Sequence, residues 1–396
     1  MTPRHFAWKL VEAARTLDVA VTRREDRRSV LIDSRTAMNY AMAAPIQAAM
    51  AGDGRVQFFA TSSEPGADIT AIHHAVLPGT TVISPRRAAL KRIDVYLTAD
   101  LLWAALPRGA RRIQMFHGVA GKFQHDYDRP ESSMRRWHRF FFVNRRRMRN
   151  FITAGAIDAS SDAPRLVGMP KVDCLVDGSL QRDTILTRLN LDPARPTVLY
   201  APTWSAASSL NSMGMELVSG LLERSWNVIV KLHDRSRDLR PFYSGGIDWP
   251  ARLSTLMDGK PGYLVADADI CPYLAAADVM ITDHSSAGFE YLLRDRPLVR
   301  IHVPELLRGS NISEEYVRLL ADAALSVDTP AQALAAVEQA LSDPQAGSAS
   351  RQAVAADLFF KPGTATARAV DELYDAMELA PAAAAATVPR RAEVLR

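Results

Sequence analysis

Cysteine is nearly absent from this chain of 396 residues, which contains only Cys174 and Cys271. The two do not form a C-x-x-C pair, and no Cys/His spacing surrounds them, so the sequence predicts neither a zinc site nor a disulfide framework. Long apolar runs are also missing: no stretch of about 18 apolar residues occurs, so we expect no transmembrane helix. The first residues interrupt their apolar positions with charge, unlike a secretory signal. These absences predict a cytoplasmic protein in a reducing compartment.

Neither sign of charge dominates, since 48 Lys and Arg residues face 44 Asp and Glu residues and the formal net charge is +4. The isoelectric point near 9.1 favours anionic partners, without choosing among a nucleotide, a polyanion, a membrane surface and nucleic acid. A composition with 48% hydrophobic and 23% charged residues is typical of a soluble globular protein. The length exceeds what one core usually supports, so we expect two domains of comparable size.

Short apolar, β-branched runs alternate with helical or loop segments in both halves of the chain, which predicts mostly parallel sheets covered on both faces. The predicted strands lie at residues 29–33, 56–60, 94–98, 112–116, 197–201, 227–231, 262–265, 278–282 and 298–302. Turn formers and charge between residues 168 and 196 predict the join there. The predicted segments are an amphipathic helix at 4–17, domains at 1–175 and 190–360, a closing helix at 363–379 and a disordered tail at 381–396.

The most informative stretch is residues 277–298, which read A-D-V-M-I-T-D-H-S-S-A-G-F-E-Y-L-L-R-D-R-P-L. It predicts a strand, a tight turn and a helix that ends before Pro297. Ser285 and Ser286 start this helix, where unpaired N–H groups and the helix dipole favour a phosphate. The alternative is that one serine is simply an N-cap. Glu290, one turn further, is placed to accept hydrogen bonds from ribose hydroxyls.

His117 follows the predicted strand 112–116, at the edge where open α/β sheets bind ligands. Imidazole is the side chain best suited to take a proton near neutral pH, so His117 is a candidate general base. The alternative is a histidine that only hydrogen-bonds its own loop.

Polar side chains also follow two strands of the second half. Lys231 and His233 come after one of them, and both can donate to the oxygens of a diphosphate whose charge must be neutralised in phosphoryl transfer. Thr203 and Ser205 lie in the loop after another. Surface placement is the alternative for Lys231 and His233, because a lone K-x-H is weak evidence of a site.

Residues 135–149 read R-R-W-H-R-F-F-F-V-N-R-R-R-M-R and combine seven arginines with Trp and Phe. As a helix, this segment could lie on an anionic membrane surface with its aromatic side chains inserted. Alternatively the aromatics belong to a core under a solvated basic face, or the arginines bind acceptor polymer or nucleic acid. Nucleic acid is the least favoured partner, since no nucleic-acid-binding signature accompanies the charge.

Six motifs in matching order resemble the CDP-glycerol glycerophosphotransferase family, of the teichoic-acid primase and polymerase type. They are I-Q-M-F-H-G-V-A-G-K at 113–122, L-V-G-M-P-K-V-D at 166–173, V-L-Y-A-P-T-W-S at 198–205, V-I-V-K-L-H at 228–233, A-D-V-M-I-T-D-H-S-S-A-G-F-E-Y-L-L at 277–293 and F-K-P-G-T-A-T-A-R at 360–368. The resemblance implies an α/β protein of the GT-B fold, with two Rossmann-like domains facing across a cleft. This chain differs from the usual family pattern at three motifs. It has F-H-G-V-A-G-K where the family has W-H-G-T-P-x-K, K-L-H-D where the family has K-x-H-P, and D-H-S-S where the family has D-Y-S-S.

The resemblance also implies residue roles and a reaction. His117 matches the acceptor-side base, His233 matches the histidine on the donor phosphates, and the helix start with Glu290 matches the donor site. The implied enzyme moves a polyol phosphate, most simply glycerol phosphate, from a CDP-activated donor to a hydroxyl of a teichoic-acid or capsule polymer or of a lipid-linked primer, and releases CMP. It needs no cofactor and no structural metal, and it works in the cytoplasm, at the inner membrane face if the basic segment binds lipid.

Two other functions stay open on the sequence alone. One is a GT-B glycosyltransferase or nucleotide-sugar 2-epimerase that uses a UDP-sugar. The other is a non-catalytic protein that binds a membrane surface through residues 135–149.

Overall fold

The computed structural model describes residues 10–13, 16–17, 27–100, 109–123 and 131–382. Its backbone contacts divide the chain into two compact units. The first unit comprises Met1–His117, Asp128–Asp173 and Phe360–Arg396, and the second comprises Gly118–Tyr127 and Cys174–Phe359. These units differ from the predicted limits 1–175 and 190–360, because residues 118–127 group with the second unit and residues 360–396 with the first.

The first unit contains a seven-stranded sheet whose paired strands all run parallel. Its strands are β1 (Arg28–Asp33), β2 (Val56–Thr61), β3 (Thr81–Val82), β4 (Val95–Thr98), β5 (Arg111–Met115), β6 (Arg139–Phe142) and β7 (Pro164–Leu166). They lie in the order β3-β2-β1-β4-β5-β6-β7. The interior strand β1 is buried from Ser29 to Asp33. Such a continuous buried run is typical of a parallel strand covered on both faces.

The helices of this unit are Ala37–Met50, Ile69–Ile72, Pro85–Leu90, Glu131–Met134, Arg145–Thr153 and Ala365–Ala376. The last one is anchored at its start by Asp173, whose carboxylate accepts the backbone N–H groups of Gly363, Ala365 and Thr366 at 2.7, 3.2 and 2.7 Å. Gly168 lies against the same junction with φ +93, where an added Cβ would be 2.6 Å from the Phe360 carbonyl oxygen. Only glycine fits there without strain. The motifs at 166–173 and 360–368, far apart in the sequence, are therefore packed against each other at this junction.

The second unit contains a six-stranded parallel sheet in the order β10-β9-β8-β11-β12-β13. Its strands are β8 (Thr197–Tyr200), β9 (Asn227–Val230), β10 (Gly262–Leu264), β11 (Val279–Thr282), β12 (Leu298–Ile301) and β13 (Leu325–Val327). Its helices are Arg182–Arg188, Ser209–Leu222, Pro241–Ser244, Trp249–Met257, Cys271–Ala276, Ala287–Tyr291, Pro304–Ser310, Glu314–Asp322, Pro330–Ser342 and Ser348–Leu358. Strands β8 and β11 lie at its centre, so the motifs that follow them meet at one edge.

All nine predicted strands are confirmed within one or two residues at their ends. The interpretation of residues 135–149 as a membrane-inserted helix is wrong. Its apolar centre is the buried strand β6, and Trp137, Phe140 and Phe141 belong to the core with at most 7% exposure. Only Arg145–Thr153 is helical. Most of the predicted helix 4–17 and the tail from residue 383 lie outside the described residues, and no described helix has both the length and the apolar character of a membrane span.

Candidate active site

His117 lies two residues after the end of β5, in an exposed position of the first unit. Its Nδ1 is 2.6 Å from the carbonyl oxygen of Ala99, the residue that follows β4. A carbonyl only accepts hydrogen bonds, so Nδ1 carries the proton and Nε2 is the nitrogen that can accept one. Neighbouring parallel strands therefore hold the imidazole in the tautomer that a general base requires.

A polar cluster that sequence reasoning missed lies at the same edge of the first sheet. The carboxylate of the buried Asp33, the last residue of β1, accepts the Ser63 N–H at 2.8 Å and the Tyr96 hydroxyl at 2.6 Å. Burial, followed by the Asp33 charge, raises the pKa of Tyr96 well above its usual value. Arg35 lies 3.3 Å from Glu64 in this cluster. The only signal in the sequence was an acidic residue ending an apolar strand.

In the second unit, the buried Asp283 connects the loops that follow β8 and β11. Its carboxylate accepts the N–H of Thr203 at 2.8 Å, and the N–H and hydroxyl of Ser209 at 3.1 and 2.9 Å. Burial, followed by the Asp283 charge, raises the pKa of Tyr200 well above its usual range. The aspartate of the D-H-S-S motif therefore has a structural role, since its carboxylate holds the Thr203 loop in place.

Lys122 is a second residue that the sequence interpretation left unassigned. Its Nζ donates to the Thr203 hydroxyl at 3.1 Å. The short segment around it is held by Ser313, whose hydroxyl donates to the Gly121 carbonyl at 3.0 Å and whose N–H donates to the Lys122 carbonyl at 2.9 Å. The lysine that closes the 113–122 motif thus belongs to the second unit, whereas His117 of the same motif belongs to the first.

His233 begins the 3₁₀ turn Asp234–Arg237 after β9, and its Nδ1 accepts the N–H of Arg235 at 3.1 Å. The proton of the neutral ring is therefore on Nε2, the opposite tautomer to His117. This form donates a hydrogen bond and suits a phosphate oxygen. Lys231 is buried, and its Nζ donates to the Leu232 carbonyl at 2.9 Å.

The remaining predicted residues lie at the same edge of the second sheet. The Ser285 hydroxyl accepts the Ala287 N–H at 3.4 Å, whereas Ser286, at the N-cap position, makes no capping bond through its side chain. The helix they start is short, Ala287–Tyr291, and continues as a 3₁₀ turn. Glu290 is 5% exposed. The Ser205 hydroxyl accepts the Ala207 N–H at 3.0 Å.

The structure thus joins Thr203 to Lys122 and Asp283 directly, and it places the other predicted donor residues after the neighbouring strands β9, β8 and β11. Their roles stay predictions. No group of three or more His, Cys, Asp or Glu side chains in the described part of the chain is arranged to hold a metal ion.

Comparison with solved structures shows which folds this chain resembles. The wall teichoic acid polymerase TagF matches with a TM-score of 0.68 and 16% identity, covering 95% of both chains, and the same polymerase soaked with CDPG matches with a TM-score of 0.66 and 15% identity, also over 95% of both. The S. aureus MnaA–UDP structure matches with a TM-score of 0.56 and 12% identity over 89% of this chain and 98% of the other. No curated protein sequence matches significantly.

Two parallel α/β sheets and these matches define a protein of the GT-B fold class, as the sequence predicts. The family model described as CDP-Glycerol:Poly(glycerophosphate) glycerophosphotransferase matches residues 99–368. The chain therefore belongs to this family and is a glycerophosphotransferase-like enzyme. The UDP-sugar enzyme and the non-catalytic binding protein are not favoured.

Proposed function

We propose that this chain transfers glycerol phosphate from CDP-glycerol to a hydroxyl of a teichoic-acid-type polymer or its lipid-linked primer, and releases CMP. The observation that carries the proposal is the family match over residues 99–368, which includes His117, His233 and Ser285. The fold shared with a TagF structure soaked with CDPG supports the donor assignment.

The first unit supplies the acceptor side in this proposal. Nε2 of His117 takes the proton of the acceptor hydroxyl, and the resulting oxygen forms a bond to the distal phosphorus of the donor. The bond from that phosphorus to the bridging oxygen breaks, and CMP leaves with the bonding electrons. Nδ1–H bound to the Ala99 carbonyl keeps the ring in the proton-accepting tautomer.

The second unit supplies the donor side. Nε2–H of His233, Lys231 and the N–H and hydroxyl groups at Ser285 and Ser286 neutralise the diphosphate as charge develops on the leaving CMP. Glu290 accepts hydrogen bonds from the ribose. Thr203 and Ser205 complete the same sheet edge, where the Asp283 carboxylate holds the Thr203 backbone.

The test is a donor screen on the full chain with CDP-glycerol, CDP-ribitol and UDP-sugars. A ligand that binds the folded state raises its stability by about 2.7 kcal/mol at a concentration of 100 times the dissociation constant, so CDP-glycerol should raise the melting temperature most. Added acceptor should then produce CMP. Release of UDP from a UDP-sugar, with no CMP from either CDP-polyol, would overturn the proposal.

We also infer that the enzyme works in the cytoplasm and contacts the anionic inner membrane face through exposed arginines rather than inserted aromatics. Arg135, Arg136, Arg145 and Arg149 are exposed, while the aromatics between them are core. Such a contact is electrostatic and weakens with salt. The Arg136→Glu/Arg149→Glu double variant should lose sedimentation with phosphatidylserine vesicles and keep CMP release from a water-soluble acceptor. Unchanged sedimentation would contradict the inference.

A further inference from the structure

Two neighbouring strands of the second unit end in a group of nitrogen-bearing side chains that the proposed reaction does not use. Thr282 of β11 pairs with Arg300 of β12 in the parallel register. His284 and His302 each follow two residues later, just past the ends of β11 and β12. The Tyr316 hydroxyl donates to the His284 carbonyl at 3.1 Å, and Lys122 Nζ lies 5.8 Å from the centroid of the Tyr316 ring. Asp283, between Thr282 and His284, turns the other way, to Thr203 and Ser209.

Buried nitrogens in this group have no hydrogen-bond partner among the described residues. The His284 side chain is fully buried, and neither of its ring nitrogens makes a hydrogen bond. Arg300 is 7% exposed, and its Nε and Nη2 donate to the Ser326 hydroxyl at 3.1 and 2.9 Å, but its Nη1 has no partner. A buried donor without a hydrogen-bond partner costs free energy, so we expect a ligand with acceptor oxygens to bind these nitrogens.

Basic side chains lie around His284, beside the carboxylate of Asp283. Burial lowers the pKa of His284 to about 4; the Asp283 charge opposes this, and the charges of Arg300, Lys122 and His302 add to the lowering. The Asp283 carboxylate is occupied by the Thr203 and Ser209 loop. A further carboxylate, Asp328, lies 3.2 Å from His302 at the surface.

We propose that Lys122, His284 and Arg300 form a phosphate-binding subsite on the β11–β12 face of the second unit, open to solvent beside His302. A guanidinium, an ammonium and an imidazole N–H offer several donors in different directions, which suits a tetrahedral group with several acceptor oxygens. In this proposal the His302 side chain, which is 39% exposed, lies on the solvent side of the subsite. Lys122 links the subsite to the donor edge through its bond to Thr203.

The subsite is tested with inorganic phosphate on the full chain, by thermal melting at constant ionic strength with chloride as the reference. Phosphate should stabilise the wild type, and His284→Phe and Lys122→Gln should raise its dissociation constant about tenfold or more. Lys260→Gln, an exposed lysine of the same unit, is the matched control and should bind phosphate like the wild type.

His284→Phe replaces an unpartnered imidazole by an apolar ring, so without phosphate it should melt at the wild-type temperature or above. The melting temperature without phosphate therefore distinguishes two roles of His284. If His284 only fills space in the core, the variant melts at a lower temperature and binds phosphate as well as the wild type does. Equal stabilisation of the wild type by phosphate and by chloride would overturn the proposal, as would undiminished phosphate binding in both site variants. Lys122→Gln keeps the test valid if His284→Phe does not fold.

Two sources of the phosphate are distinguished by competition, and this step rests on the proposed function. If the distal phosphate of the donor occupies the subsite, CDP-glycerol abolishes phosphate binding, and His284→Phe weakens CDP-glycerol more than CMP. If a phosphodiester of the acceptor occupies it, phosphate binds equally with and without donor, and His284→Phe raises only the acceptor KM. If phosphate binding depends on Lys122 but the protein releases no CMP, the phosphate subsite is supported and only the proposed function is overturned.

Discussion

At the scale of single residues, two histidines after strand ends carry their protons on opposite nitrogens. His117 donates from Nδ1 to a carbonyl, whereas His233 accepts a backbone N–H at Nδ1. For His117→Asn we expect turnover to fall about 100-fold to 10,000-fold, the usual contribution of a positioned base, with donor affinity nearly unchanged. CMP release and donor binding measured on one preparation check this. Normal CMP release would leave His117 as a loop residue bound to Ala99.

His233 has a different expected signature, because its protonated nitrogen serves binding. His233→Ala should raise the donor dissociation constant roughly tenfold or more, and Glu290→Ala should do the same through the ribose. His233→Asn is the matched control: its side-chain oxygen can still accept the Arg235 N–H as an N-cap, so it separates the loop's anchoring from the contact with phosphate. Isothermal titration with CDP-glycerol is the measurement, and unchanged affinity in both alanine variants would exclude these roles.

The buried His284 also makes a prediction about pH. Its folded-state pKa of about 4 lies below the usual 6.5, so between these values the unfolded chain takes up a proton that the folded protein does not. The free energy of unfolding therefore falls as the pH falls from about 6.5 to about 4, by at most about 3 kcal/mol from this group. His73 and His138, whose pKa values burial also lowers, contribute in the same direction. The free energy of unfolding, measured with urea across this pH range, should depend less steeply on pH for His284→Phe than for the wild type. Equal slopes for the two proteins would contradict this prediction.

At the scale of elements, Asp173 fixes the start of the helix Ala365–Ala376 to the first unit through three backbone N–H groups. Asp173→Ala removes this cap and leaves the N–H groups without their acceptor, so we expect a loss of about 1 to 3 kcal/mol in the free energy of unfolding. Asp177→Ala, at an exposed aspartate whose carboxylate accepts the Ser179 N–H, is the matched control. The measurement is the denaturant midpoint of unfolding for each variant. Equal midpoints would show that the Asp173 cap does not contribute measurably to stability.

The strands that sequence reasoning found and missed differ in a physical way. Eight of the nine predicted strands have four to six residues, long enough to show their own pattern; β10, with three residues, is the exception. Strands β3, β7 and β13 have two or three residues each, and β6 is three phenylalanines among arginines, a pattern equally consistent with an amphipathic helix. Pairing with β5 and β7 decides in favour of a strand. Local pattern carries no information about such pairing.

The same limit applies to the site. Residues after central strands, such as His117 and Ser285, could be proposed because parallel strands bring their ends to one edge. Lys122 could not, because its place depends on how residues 118–127 pack with Ser313, far along the chain. The sequence pattern assigns no role to the buried Asp283, and only the structure shows that it holds the Thr203 loop.

At the scale of the whole molecule, the chain passes between the two units four times, at residues 117–118, 127–128, 173–174 and 359–360. The exposed residues 176–179, just after the third passage, are the first place where we expect a broad-specificity protease to cut. Each fragment then holds part of the first unit, because the C-terminal helix contributes Tyr374, whose hydroxyl donates to Asp53 at 2.9 Å, and Glu372, which pairs with Arg139 at 2.8 Å.

The nicked protein should therefore elute in gel filtration as one species of the original size and separate into two bands only after denaturation. Intact-mass analysis of the two bands locates the cut. Asp173→Ala should make the fragments separate at a lower urea concentration, since it weakens the attachment of the C-terminal helix to the N-terminal fragment. Fragments that part on the native column without urea would show that the contacts of this helix do not hold the first unit together, and a first cut inside either sheet would contradict the division itself.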